Sequence, residues 1–123
     1  TALALGLSAL VASPAEAATV AIADVQGSGS TTPFAGRVVT VEGVVTADYR
    51  GASGYAGVVI QTPGSGGGTD ATPGASDGVF VYLGGQDPAV AIGDLVRVTG
   101  TASERQGQTQ VAATATDLVR AGV

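Results

Sequence analysis

The segment from Arg37 to Tyr49, RVVTVEGVVTADY, constrains the fold more than any other part of the sequence. Its apolar and polar side chains alternate, which is the period-2 pattern of a strand with one buried face. The apolar set is Val39, Val41, Val45, Ala47 and Tyr49, and the polar set is Thr40, Glu42, Thr46 and Asp48. Gly43 interrupts the run at a point where a barrel strand commonly bends. The segment therefore predicts a long, bent strand.

Four further strands are predicted between clusters of turn-forming residues. They are Val58–Thr62, Val79–Leu83, Leu95–Arg105 and a fifth within 106–115. The connection between the third and fourth has room for at most one helical turn near 89–92. This pattern predicts an all-β fold, a small five-stranded OB-like Greek-key barrel with a long Gly-rich loop and little or no helix. A β-sandwich is the alternative, although it normally has about seven strands.

The first eighteen residues have the organisation of a secretory signal peptide that is truncated at its start. An uncharged apolar run is followed by a Ser-Pro break and by Ala15-Glu16-Ala17, a small-x-small cleavage pattern. A membrane anchor is the alternative, but a spanning helix needs about 20 apolar residues. We expect a signal peptide over 1–18, a lead-in strand and loop over 19–36, the barrel over 37–113 and a linker toward a missing downstream domain over 114–123. These expectations imply a secreted, extracellular protein with no membrane span in the mature chain.

Composition excludes several function classes. The chain has no His and no Cys, so neither a Ser-His-Asp triad, a Cys-His pair nor a His-ligated zinc is possible. Ten acidic residues stand against five basic ones, for a net charge of −5. Loss of Glu16 with the signal peptide leaves nine against five, a net charge of −4. Long-range attraction to phosphate backbones is therefore not expected, which counts against nucleic-acid binding.

The run from Val79 to Leu83 is apolar at every position, so a strand there has no polar face. In an OB barrel, ligands lie across strands 2 and 3, between the loops that join strands 1 to 2 and 4 to 5. Aromatic rings can stack on bases there, and arginine can contact phosphate. The nucleic-acid-binding candidates at these positions are Arg50, Tyr55, Phe80, Tyr82 and Arg105. The alternative is that protein covers the outer face, either the lead-in around Val20 and Ile22 or a neighbouring domain.

Two Gly-rich stretches invite a phosphate or metal interpretation. The stretch from Gly27 to Thr32 lacks the Lys that a phosphate-binding P-loop requires. In the loop after the second strand, Asp70 and Asp77 offer carboxylates that suit Ca²⁺. A solvated surface loop is the alternative for this segment. No other cofactor is expected for this domain.

Three blocks of the sequence resemble a known module. They are IADVQGSGSTTPFAGRVVTVEGVVTADY, GVVIQTPGSGGGTDATPGASDGVFVY and VAIGDLVRVTGTASERQGQTQV. The residues of these blocks and their order along the chain resemble those of the OB-like accessory module found in large secreted bacterial nucleases of the endonuclease/exonuclease/phosphatase superfamily. The similarity runs from about Ile22 to Val111. In that family the catalytic domain is a separate metal-dependent phosphodiesterase that uses His, Asp, Asn and Glu, and this chain has neither His nor Asn.

The resemblance implies a non-catalytic module that assists nucleic-acid (DNA) binding or orients the substrate for a downstream nuclease domain. The chain alone is expected not to be an enzyme, and a divalent metal is expected only in the missing catalytic domain. The expected partners are that catalytic domain and single-stranded or double-stranded DNA. Two alternatives stay open: a structural module that docks on the catalytic domain, and a module that binds carbohydrate or another cell-surface polymer.

Overall fold

The strands form one sheet that closes on itself. The computed structural model describes residues 19–51, 55–64 and 75–122. Its elements are α1 (Ile22–Gln26), β1 (Val38–Asp48), β2 (Gly57–Gln61), β3 (Gly78–Tyr82), β4 (Leu95–Arg105) and β5 (Gln108–Arg120). The strand order is β1-β2-β3-β5-β4, and β4 pairs in turn with β1. All neighbours are antiparallel except β3 and β5, which are parallel. The all-β prediction is confirmed.

The predicted strands agree with the observed ones to within a residue, except at the two ends of the chain. Strand β4 has the predicted bounds, and β2 and β3 each begin and end one residue earlier than expected. The expected lead-in strand is wrong, because Thr19 makes only an isolated bridge to Thr40 and the next residues form α1. The predicted linker begins too early, because β5 pairs with β4 as far as Arg120. The connection around 89–92 forms turns without a helix.

Valine fills the interior of the closed sheet. The alternating residues of each strand point inward, and β-branched side chains pack well on a pleated surface. The residues with no measurable exposure include Val41, Val58, Val81, Val96, Val98 and Val111. Burial of each such side chain stabilises the fold by about 1.5–3 kcal/mol. The alternation seen in the sequence is therefore the alternation between the core and the outer face.

Helix α1 closes one end of the interior. It has five residues and no side-chain cap, so its own hydrogen bonds do not account for its stability. It is held instead by burial of Ile22, Ala23 and Val25. A Cβ atom at Gly43 of β1 would lie 3.0 Å from the Cδ1 atom of Ile22, so the missing side chain at Gly43 makes room for this contact. The short N-terminal helix is therefore part of the core.

A tight hairpin joins the two longest strands. Gln106 and Gly107 connect β4 to β5, and both have positive φ angles, 52° and 80°. Two consecutive left-handed residues form the turn whose twist matches that of paired strands. The hairpin places Arg105 and Gln108 opposite each other at the ends of the strands. This end of the sheet lies next to the aromatic residues described below.

Candidate ligand-binding groove

The side chains of strand β3 point alternately into the core and onto an open outer face. Val79, Val81 and the following Leu83 are buried in the interior, whereas Phe80 is half-buried and Tyr82 is 37 % exposed on the outer face. The predicted orientation of the two aromatic residues is therefore correct. The lead-in does not cover them, because Ile22 packs against Gly43 inside the sheet. No residue in the described ranges covers the outer face of β3 completely, since Tyr82 stays 37 % exposed.

Gly57 of β2 lets the Phe80 ring lie against the backbone. A Cβ atom at Gly57 would come within 2.5 Å of the Phe80 Cζ atom and 2.2 Å of the Val81 carbonyl oxygen. Such distances are far shorter than van der Waals contact, so no other residue fits here without a shift. The register places Val59 of the same strand directly beside Phe80. The ring and Val59 together form an apolar floor on the outer face.

The groove over this floor has aromatic and amide walls. Its volume is about 470 Å³, and its lining residues are Tyr49, Tyr55, Val59, Phe80, Tyr82, Arg105, Gln106, Gln108 and Gln110. Tyr49 and Tyr55 stand at one side with their ring centroids 5.5 Å apart and their planes tilted by 43°. Both rings are exposed, at 42 % and 60 %. Three of these residues, Tyr55, Phe80 and Tyr82, were predicted to meet a ligand, as was Arg105.

Arg105 supplies the one charge among the described residues that line this groove. It forms no ion pair with any described residue, whereas Arg97 pairs with Glu42 at 2.7 Å. The neighbouring Glu104 points away from the groove, because its Oε2 atom accepts hydrogen bonds from the Thr32 backbone N–H and the Thr109 hydroxyl. The groove therefore presents a positive charge, although the chain as a whole is acidic.

Arg50 lines the second groove described below, but contacts within the protein hold its guanidinium. Its guanidinium binds Asp48 through Nε and Nη2, Asp87 through Nη1, and the backbone carbonyls of Pro88 and Val90 at 2.7 Å each. These contacts use all five N–H donors of an arginine side chain. The hydrogen bond from Arg50 lowers the pKa of Asp48 below its ordinary value of 3.8, and the same bond raises the pKa of Arg50. Arg50 thus joins the loop after β1 to the loop after β3, and its contact with a ligand stays an untested prediction.

A second groove continues from the first. Its lining includes Tyr82 and Arg105, which are shared, together with Ala56, the Gly84–Gly85 turn and Asp87. Tyr82 lies beside Gly84, where an added Cβ atom would be 3.6 Å from the ring. The two grooves therefore meet at Tyr82 and Arg105.

The predicted calcium ligands are not brought together in the described residues. Asp70 lies outside them, and Asp77 immediately precedes β3, where its carbonyl oxygen accepts a hydrogen bond from Thr62. Within the ranges that the structure describes, no three acidic residues are close enough to form a metal site. The calcium assignment stays an untested prediction.

Sequence reasoning missed Tyr49 and Gln110 as groove residues, and it placed Gln108 in the loop beside the ligand face without naming it as a contact. Tyr49 was assigned to the apolar face of β1, but it follows the end of the strand at Asp48 and turns outward. The alternation of Gln108 and Gln110 with buried Thr109 and Val111 was readable from the sequence. Their place beside Phe80 depends on the parallel pairing of β5 with β3, which no local pattern reveals.

Comparison with known proteins adds no family assignment. No protein-family model matches the chain, and no curated protein matches it. Among the described residues, no helix is long and apolar enough to cross a membrane.

Proposed function

We propose that the closed five-stranded sheet is an OB-type barrel that binds a single nucleic-acid strand along the groove over β2 and β3. The observation that carries this proposal is the meeting of Phe80, Tyr82 and the unpaired Arg105 in one groove, which shares Tyr82 and Arg105 with a second groove. Stacking on aromatic rings contributes about 1–3 kcal/mol per base, and it works for any base because every base has a flat face. Arg105, which lines both grooves, suits a phosphate or a second stacking contact.

The strand connectivity supports the OB assignment. A closed sheet of five strands in the order 1-2-3-5-4 is Greek-key, and OB domains bind ligands at strands 2 and 3 beside the two loops that flank them. In this chain those loops contribute Tyr55 on one side and Arg105 with Gln106 on the other. The candidate groove therefore lies where this architecture binds linear ligands.

The wider biological role rests on the sequence resemblance. We propose that the domain is a non-catalytic accessory module of a secreted nuclease, that the chain carries no catalytic activity of its own, and that any metal belongs to a separate catalytic domain. The module then holds or orients nucleic acid for that domain. Hydrolysis of a phosphodiester by this chain alone, with added Mg²⁺, would contradict this proposal.

A neutral polysaccharide is the second candidate ligand. The observation that favours it is the lining itself, in which three tyrosines and three glutamines accompany a single charge. Tyrosine rings and amide groups bind sugars as well as bases. The two candidates differ in their dependence on Arg105, because a neutral sugar polymer gains nothing from a phosphate contact.

The decisive experiment is a fluorescence-anisotropy titration of the full chain against a labelled single-stranded oligonucleotide, the matching duplex and a neutral glucan. We expect the single strand to bind most tightly. One phosphate contact predicts a slope of about −0.7 in a plot of log K against log salt concentration. A slope of about −3 or steeper would place the ligand on a different, more basic surface. Exclusive binding of the glucan would favour the second candidate.

A pair of arginine variants separates local contact from net charge. Arg105→Ala and Arg120→Ala each remove one exposed positive charge, but Arg120 lies at the far end of β5, opposite Leu95. We expect Arg105→Ala to weaken oligonucleotide binding at least about 5-fold, as for one charge-assisted hydrogen bond. Arg120→Ala should change the affinity less than 2-fold. Equal losses in the two variants would show that only the overall charge matters.

A further inference from the structure

Gln110 sits in the floor of the groove next to Phe80. The two residues are register partners in the parallel pairing of β3 with β5, so their side chains share the outer face. The next residue, Val111, is fully buried inside the sheet. Gln110 itself is only 8 % exposed, although it lines the groove. Any group that reaches its amide must therefore come through the groove.

The Gln110 amide has no hydrogen-bond partner among the described residues. Other glutamines of this chain do: Gln26 donates to the Gly78 carbonyl and Gln86 donates to the Ala113 carbonyl, each at 2.8 Å. Gln110 as a residue is 8 % exposed, and its amide atoms are not among the buried unpaired side-chain atoms of the described residues, so water reaches the amide through the groove. A ligand in the groove can replace that water and pair with the amide directly.

We propose that the Gln110 side-chain amide is a specificity-determining group that hydrogen-bonds the edge of a base stacked on Phe80. This inference rests on the proposed function, because it assumes that the ligand is a nucleic-acid strand. A primary amide presents an N–H donor and a C=O acceptor side by side. Each nucleobase has an edge with an adjacent donor and acceptor, so two hydrogen bonds form in the base plane. Neither a sugar–phosphate backbone nor an apolar ring offers that pair.

The test removes the proposed hydrogen bond between Gln110 and the base in two ways, by a change in the protein and by a change in the oligonucleotide. Gln110→Met keeps the length and the shape of the side chain but has no amide. In an oligothymidylate, replacement of thymine by difluorotoluene keeps the flat ring but removes the base's ability to hydrogen-bond well. Anisotropy titrations of both proteins with both oligonucleotides form a double-mutant cycle, in which each titration controls another.

We expect the wild-type chain to bind oligothymidylate about 10-fold more tightly than the difluorotoluene oligomer, within the range of one bidentate base contact. Gln110→Met should bind both oligomers with equal affinity, close to that of the wild type for the analogue. Thermal unfolding of Gln110→Met checks that the fold is intact. Its Tm should stay at or above that of the wild type, because the substitution removes an amide that has no hydrogen-bond partner in the protein.

Three outcomes overturn the inference in distinguishable ways. If Gln110→Met retains the 10-fold preference for thymine, another group recognises the base, and the proposed nucleic-acid role stands. If the wild type binds both oligomers equally, the groove holds bases by stacking alone. If the wild type binds neither oligomer, the proposed function fails together with this inference.

Discussion

Arg50→Ala should lower the stability of the domain without weakening oligonucleotide binding in the groove. The mutation leaves the Pro88 and Val90 carbonyls without their charged donor, and each such loss costs about 1 kcal/mol after partial rehydration. Loss of the Asp48 pair adds about 0.5–1 kcal/mol because both side chains are partly exposed, at 18 % and 28 %. The Asp87 contact adds nothing measurable, since that carboxylate is 87 % exposed. We expect the free energy of unfolding to fall by about 2–3 kcal/mol.

Urea unfolding followed by tyrosine fluorescence measures this change, and Asp87→Ala serves as the control that should leave stability within about 0.5 kcal/mol. Arg50→Lys should recover less than half of the lost free energy of unfolding, because an ammonium group has three donors and cannot replace the five N–H donors of the planar guanidinium. A loss below about 1 kcal/mol for Arg50→Ala would refute the structural role. A drop in oligonucleotide affinity of 10-fold or more in the folded variant would instead support the sequence-based prediction that Arg50 contacts the ligand.

Three further predictions concern the helix, the ion pair and the hairpin. Ile22→Ala should lower the free energy of unfolding by about 2–5 kcal/mol in a urea titration because it empties a core position, whereas the exposed Asp24→Ala should change it by less than about 0.5 kcal/mol. Because the pKa of Asp48 is lowered in the folded state, its ion pair stabilises the fold above about pH 4, and this stabilisation is lost as the pH falls through the folded-state pKa. Asp48→Asn should therefore flatten the fall in Tm between about pH 5 and pH 2. Gln106→Asn should raise the free energy of unfolding by up to about 1 kcal/mol in the same urea titration, because asparagine tolerates the left-handed conformation better, and an unchanged value would mean that the turn is not strained.

The sequence predicted the strands well because their signal is local. The alternation in the first strand marks its buried face directly, and β4 was predicted to the residue. The prediction of a lead-in strand was wrong because the apolar spacing of Ile22 and Val25 fits one turn of helix as well as a strand. Only the packing of Ile22 against Gly43, which has no side chain, decides between them. Strand β5 was predicted too short, because residues 114–120 are largely exposed and their pairing with β4 leaves little hydrophobic pattern.

Of the groove residues, Tyr55, Phe80, Tyr82 and Arg105 were predicted, whereas Tyr49 and Gln110 were missed. Phe80 and Tyr82 stand out because a strand with two apolar faces needs an explanation. Gln110 does not stand out, because an outward glutamine on a strand is ordinary, and its significance arises only from burial between neighbours that are distant in sequence. The role of Arg50 was hidden in the same way, since its carbonyl partners are about forty residues away.

The distribution of charge answers the objection that an acidic chain should not bind a polyanion. Coulombic repulsion between exposed charges is largely screened beyond about 8 Å at physiological ionic strength, so carboxylates away from the groove act weakly on a bound strand. Of the acidic residues near the two grooves, Asp48 and Asp87 both pair with Arg50, and the Oε2 atom of Glu104 binds Thr32 and Thr109. In the first groove, the charge that lies nearest to a ligand is therefore Arg105, although the net charge of the chain is −5. Lowering the salt concentration well below the physiological range should strengthen binding less than one phosphate contact alone would predict, because the distant carboxylates are then no longer screened.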